Sequence, residues 1–240
     1  MITVDHLSKS YQRNAAVRAV SFTCGSGTVT GLLGPNGSGK STVLRLVCGR
    51  VAPSAGRAFV NGVDYSGVPN LGRRVGALLG DEPPFHTFTA RAALTISAKF
   101  IGVREERVGE MLRLAGLPAR IEESPLGEYS PGHRRRFDLV RALLGDPNVL
   151  VLDEPVAGLD ADGAAWMWER IRDFAAGGGT VLLSSRSPQE VEPVVDQVVL
   201  LSEGAVAWRG GRDEMFRGAG AFGRIPAARR PVGRAAGAAG

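Results

Sequence analysis

Mainly apolar runs of four or five residues recur at 29–33, 75–79, 149–152, 180–183 and 198–201, each bounded by polar residues or glycine. Runs this short and this continuous predict strands buried on both faces. Between them the apolar positions fall at helical spacing, predicting helices over 41–48, 90–100, 105–114, 134–144, 163–174 and 189–194. Strands alternating with helices imply an α/β domain with a mainly parallel sheet. Residues 2–4 and 16–23 read as strands with no helix after them, predicting an antiparallel β portion at the N-terminal edge. The stretch from about 80 to 144 is almost wholly helical and reads as an inserted α-helical lobe. The domain so defined spans 1–216. From Arg217 the chain is mostly Gly, Ala and Arg without periodicity, the pattern of a flexible tail.

Composition narrows the class. An apolar fraction of 44% is enough for a core in a chain of 240 residues. The net charge of +5 is carried by arginine, since the lysines are Lys9, Lys40 and Lys99 alone. Part of the excess lies in the tail, at Arg217, Arg224, Arg229, Arg230 and Arg234, where a solvated basic segment is the plainer reading than a docking arm. Cys24 and Cys48 lie far apart, which argues against a disulfide framework or a zinc site and for a reducing cytoplasm. No apolar run approaches the roughly 20 residues that a membrane helix needs, and no signal-peptide order opens the chain. Any membrane role is expected to be peripheral.

The chemistry begins at Gly34, Pro35, Asn36, Gly37, Ser38, Gly39, Lys40 and Ser41, which match G-x-x-x-x-G-K-[ST] between a strand and a helix. Glycine at 37 and 39 lets backbone N–H groups wrap a phosphate, and the helix that follows points its positive end at the same anion. Lys40 is expected to neutralise the β- and γ-phosphates, Ser41 to join a Mg²⁺ shell, and Thr42 to donate on the α-phosphate side. The second motif is an apolar strand ending in Asp153 and Glu154. Asp153 would complete the Mg²⁺ coordination through water, and Glu154 would polarise an attacking water as general base. Absence of an N-K-x-D motif argues against a GTPase.

With these motifs in this order, the chain resembles the nucleotide-binding subunit of ATP-binding cassette (ABC) transporters over about residues 2–216. The resemblance implies a P-loop NTPase core, ATP and Mg²⁺ as ligands, and an ATPase that powers a separate transmembrane permease. It also implies a homodimer, or a heterodimer with a second cassette, closing on ATP head to tail at the inner face of the membrane. Tyr11 stands at the family's aromatic position and would stack on adenine; the alternative is a tyrosine packed at a strand end. Residues 157–160 match the Asp loop.

Three motifs depart from the family. The signature LSGGQ becomes Tyr129, Ser130, Pro131, Gly132 and His133. Ser130 can still cap a helix and Pro131 suits its first position, so Ser130 and Gly132 are expected to form a weakened cap for the partner's γ-phosphate. Gly80 stands where the family has a glutamine; Asp81 or Glu82 could supply the missing oxygen ligand, or both are ordinary loop residues. Arg186 replaces the switch histidine and would either grip a γ-phosphate or point into solvent. Ser187 to Glu190 reads as a capping box. His86 and His133 read as polar loop contacts.

The leading function is therefore the ATPase subunit of a transporter, exporter-type by analogy at 89–91. A slow or non-hydrolysing regulatory cassette is the second reading, motivated by the three departures. A soluble cassette acting on nucleic acid is the third, disfavoured because there is one cassette and no sustained heptad.

Overall fold

The computed structural model describes residues 1–12, 14–64, 71–80 and 85–217. Beyond Arg217 the expected tail lies outside the described residues, as do Asp81 and Glu82. Two sheets organise the rest. The first is antiparallel, built from β1 (Ile2–Tyr11), β2 (Asn14–Cys24), β4 (Ala55–Val60) and β5 (Val63–Asp64) in the order β2-β1-β4-β5. The second joins β3 (Val29–Leu33), β6 (Val75–Leu78), β7 (Val149–Asp153), β8 (Thr180–Ser185), β9 (Gln197–Ser202) and β10 (Ala205–Gly211) in the order β10-β9-β3-β8-β7-β6. All its neighbours pair in parallel except β9 with β10.

Both faces of the second sheet are covered, which explains why its strands read as continuous apolar runs. Val149 and Val151 face one core, shared with β1, β2, β4 and helix α1 (Lys40–Val47). Leu150 and Leu152, one residue out of phase, face the other, shared with α5 (Pro131–Leu143), α6 (Ala161–Ala176) and α7 (Pro188–Val191). The period of two along one strand thus feeds two cores.

A third core holds the helical lobe: α2 (Ala90–Ile101), α3 (Glu106–Ala115) and one side of α5, with the short α4 (Ala119–Glu123) beside them. Phe137, Val140 and Leu144 point into the lobe, whereas Leu139 and Ala142 point onto the sheet. Helix α5 is therefore one rigid beam shared by the lobe and the sheet. Its seat is close: a Cβ on Gly76 of β6 would lie 2.2 Å from the Ala142 carbonyl oxygen.

Several local expectations are corrected. Helix α5 starts at Pro131 rather than 134, because Ser130 accepts the His133 N–H at 3.3 Å and proline suits the first turn. Helix α7 stops at Val191, three residues early. Ser187 makes no side-chain cap; its hydroxyl donates to Gln189 Oε1 instead. Glu190 is held by the Ser185 hydroxyl at 2.9 Å, and that same hydroxyl accepts the Ser187 N–H, so the turn is closed from two residues further back. Strands β4, β5 and β10 and the C-terminal helix α8 (Arg212–Phe216) carried no expected element. Among the described residues no helix is long and apolar enough to cross a membrane.

Because the contact at Gly76 is with backbone, it has nowhere to yield. Gly76→Val is expected to lower unfolding free energy by about 2 kcal/mol through overpacking, read as a lower urea midpoint. An unchanged midpoint would mean that α5 does not bear on β6 this closely.

Candidate functional site

Parallel register gathers the chemistry at one edge of the second sheet. Leu33 pairs with Ser185 and Asp153 with Ser184, so the loop after β3, the acids after β7 and Arg186 after β8 leave the sheet side by side.

The loop between β3 and α1 is a cradle. Gly39 has φ 101°, and a Cβ there would sit 2.6 Å from the Ala16 carbonyl oxygen, so only glycine lets the loop lie against β2. Gly204, in the turn after β9, braces the loop from the other side through its N–H to the Ser38 carbonyl at 3.1 Å. Lys40 is only 5% exposed, and its ammonium donates to the carbonyls of Gly34 at 2.8 Å and Pro35 at 2.9 Å. Burial lowers the Lys40 pKa. The nearby Glu154 and Asp153 carboxylates oppose that shift, and the Arg186 charge adds to it. The buried Ser38 hydroxyl has no protein partner among the described residues.

The acid pair is clasped by Ser184, a fully buried serine that the motifs did not point to. Its hydroxyl donates to Asp153 Oδ1 and accepts the Glu154 N–H at 3.0 Å. One side chain thereby fixes both acids. Glu154 needs such support, since its φ of 46° is costly for a residue with a Cβ. Its carboxylate then meets Arg186: Nη2 lies 2.6 Å from Oε2. Arg186 therefore does not simply point into solvent. It occupies the residue read as the general base.

A cavity of about 410 Å³ brings these parts together. It is lined by Asn36, Gly37, Gly39, Lys40, Ser41, Thr42 and Glu154, together with Asn14, Ala15, Ala16, Arg18, Glu203 and Gly204. Gly34 and Pro35 join through Lys40, Asp153 through Ser184, and Arg186 through Glu154. Tyr11 is not among the lining residues; it is 44% exposed at the end of β1, with the Lys9 ammonium 5.2 Å from its ring centre. Arg18 and Glu203 do line the cavity, and sequence reasoning missed both. Their signal was weak, one in a strand of mixed polarity and the other in a Glu-Gly turn.

Ser130 and Gly132 are also outside the lining, at the start of α5 in the lobe. His133 is in the first turn of α5 rather than in a loop, and its Nδ1 lies 3.1 Å from the Ser130 hydroxyl. Gly80 follows β6 with φ 77°, a conformation that a glutamine would adopt only with strain.

These residues suit a magnesium nucleotide. A buried cation, a wrapped loop and an unpartnered buried hydroxyl form an anion cradle. No group of three or more acidic, histidine or cysteine ligands exists among the described residues. Mg²⁺ does not need one, because it takes most of its shell from water and phosphate, and Ser41 and Asp153 would be enough to supply the protein side.

Comparison with known proteins agrees with this arrangement. Residues 17–157 match the family model described as ABC transporter. The chain is 36% identical over 211 residues to the Nod factor export ATP-binding protein I of Rhizobium etli, covering 85% of this chain and 66% of that protein. It spans 60 to 66% of the length of the curated relatives first matched. Its fold superposes at a TM-score of 0.81 and 28% identity on the ATP-binding subunit of an ABC transporter, covering 95% of each chain. A dimeric ATP-binding cassette in a post-hydrolysis state with ADP and Pi superposes at 0.80 and 20% identity, covering 88% of this chain and 99% of that one.

The clasp makes a measurable demand on stability. Ser184→Ala removes the partner of a buried N–H and of a carboxylate, and is expected to cost about 2 kcal/mol in urea unfolding. A loss below about 0.5 kcal/mol would show that the two acids are held by other means.

Proposed function

The chain belongs to the ABC transporter family, and on that premise we propose that it is the ATP-binding and ATP-hydrolysing subunit that powers a separate transmembrane permease. The observation that carries this reading is the convergence of the Lys40 cradle and the Glu154 carboxylate on one cavity. Loop N–H groups and Lys40 hold the phosphates, Ser41 and Asp153 hold Mg²⁺, and Thr42 steadies the α-phosphate side. Tyr11, exposed at the end of β1 and outside the cavity lining, would reach the adenine from beyond that lining. Glu154 takes a proton from the attacking water. Bound Mg²⁺ supplies charge neutralisation at the phosphates.

Ser130 and Gly132 act across a dimer, capping the γ-phosphate held by a second copy or by a paralogous cassette. Two features support that assignment. Ser130 is exposed at the N-terminus of α5, which it caps, and neither residue lines this chain's own cavity. The partner set is then a permease and a second cassette, at the cytoplasmic face of the membrane and without nucleic acid. Export is favoured because the relative named above is called an export protein. Residues 1–216 form the cassette, and the Gly-, Ala- and Arg-rich segment beyond Arg217 lies outside the described residues.

One observation favours a slower enzyme. The carboxylate that should activate water is paired with Arg186 at 2.6 Å, so it can take a proton only after that pair has parted, a step that slows turnover toward the regulatory reading.

Steady-state ATP hydrolysis by the full chain, with and without Glu154→Gln, tests the proposal. Turnover is expected to fall about a thousandfold in the variant while ATP binding survives. Equal turnover in both chains would remove Glu154 as the base. A wild-type chain that binds ATP tightly without turnover would leave the regulatory reading in its place.

A further inference from the structure

Four charged side chains meet at the edge of the second sheet: Lys40, Asp153, Glu154 and Arg186. Two carry positive charge and two negative. Lys40 spends its protons on the loop carbonyls, and Asp153 is bonded to Ser184. The remaining pair is left to neutralise itself, at 2.6 Å. The two partners are not equally free. Glu154 is anchored at its backbone by Ser184, and its side chain is 28% exposed. The Arg186 side chain is 52% exposed, and no other ion pair to it exists among the described residues. Its backbone is fixed, because Ser185 just before it is buried and bonded to Ser187 and Glu190. The arginine side chain, the more exposed of the two, is the freer to move.

We infer that the Arg186–Glu154 ion pair is a charge lock that a nucleotide opens only if it brings a third phosphate within reach of the guanidinium. The inference rests on the proposed ATP site. A carboxylate carries one negative charge, whereas a terminal phosphate carries more and offers three oxygens to a planar fork. A third phosphate can therefore outbid Glu154 for Arg186. ADP leaves the pair closed. Opening frees the Glu154 carboxylate at the moment when there is a phosphate to act beside. Arg186 is thus a positioning residue: it acts through Glu154 and reports the length of the phosphate chain.

The lock has a thermodynamic consequence separate from turnover. Closing it competes with binding, so removing the carboxylate should release Arg186 and tighten the triphosphate. Simple relief of repulsion between Glu154 and phosphate would also tighten binding, but without needing Arg186. A double-mutant cycle separates the two.

The measurement is calorimetric affinity of the full-length chain for Mg²⁺ with the non-hydrolysed analogue adenylyl imidodiphosphate, and for Mg²⁺ with ADP. Wild type, Glu154→Gln, Arg186→Gln and the double variant are compared. With a lock, Glu154→Gln tightens the triphosphate analogue about fivefold and leaves ADP within about twofold. In the Arg186→Gln background that gain disappears. A gain that persists without Arg186, or one that ADP shares equally, overturns the lock and leaves the nucleotide site standing. A wild-type chain that binds neither nucleotide overturns the proposed site, and the lock with it. Arg186 is half-exposed, so its variants are expected to fold, and matching thermal midpoints check this.

Discussion

Parallel pairing of β3 with β8 and of β7 with β8 aligns Leu33 with Ser185 and Asp153 with Ser184, and the rest of the site depends on that register. A slip of one residue would turn every apolar side chain of these strands from one core to the other. It would also part the Ser184 hydroxyl from Asp153 and from the Glu154 N–H. The two cores therefore do more than stabilise the sheet. By fixing which residue of β8 lies beside which residue of β7, they set the positions of two carboxylates and one guanidinium. Side-chain packing several residues away from the cavity thus determines its electrostatics.

The lobe is tied to this register through α5. One side of that helix fills the lobe core and the other rests on β6, with the Ala142 carbonyl against Gly76. Its N-terminus carries Ser130 and Gly132. Any force on the lobe, from a partner or from a second cassette, is transmitted along a stiff helix to the edge strand of the sheet that bears the acids. The seam has little slack, because its closest contact is with backbone.

The phosphate loop, the five buried strands and the acid pair were legible because each has a fixed pattern: four specified residue types within eight positions, a continuous apolar run, or such a run ending in acids. Strands β4 and β10 were not. They contain glycine and are half-exposed, so they give neither a clear period of two nor a continuous apolar run. Ser184 was silent for another reason. Inside an apolar strand a serine looks like a minor interruption, and only the register with Asp153 gives it a role. The capping pattern at Ser187 was present but misassigned, since Ser185 reaches Glu190 first. The Arg186–Glu154 contact joins two loops on neighbouring strands, a relation that no local pattern encodes.

The departures from the family pattern fall on one side of a physical division. Residues proposed to hold the phosphates and Mg²⁺, from Gly34 to Thr42 with Asp153, have the expected types. Those that differ, at Gly80, Pro131 and Arg186, stand on segments expected to respond to the terminal phosphate. Replacing a histidine by arginine changes the kind of response. A neutral imidazole can share a proton with water or phosphate, and its state follows pH through the physiological range. A guanidinium cannot lose its proton there, so it can only change partners. Its nearest partner in this chain is the very carboxylate that would activate water. The choice between Glu154 and phosphate then replaces protonation as the variable that commits the site, and it is set by how much negative charge the nucleotide brings.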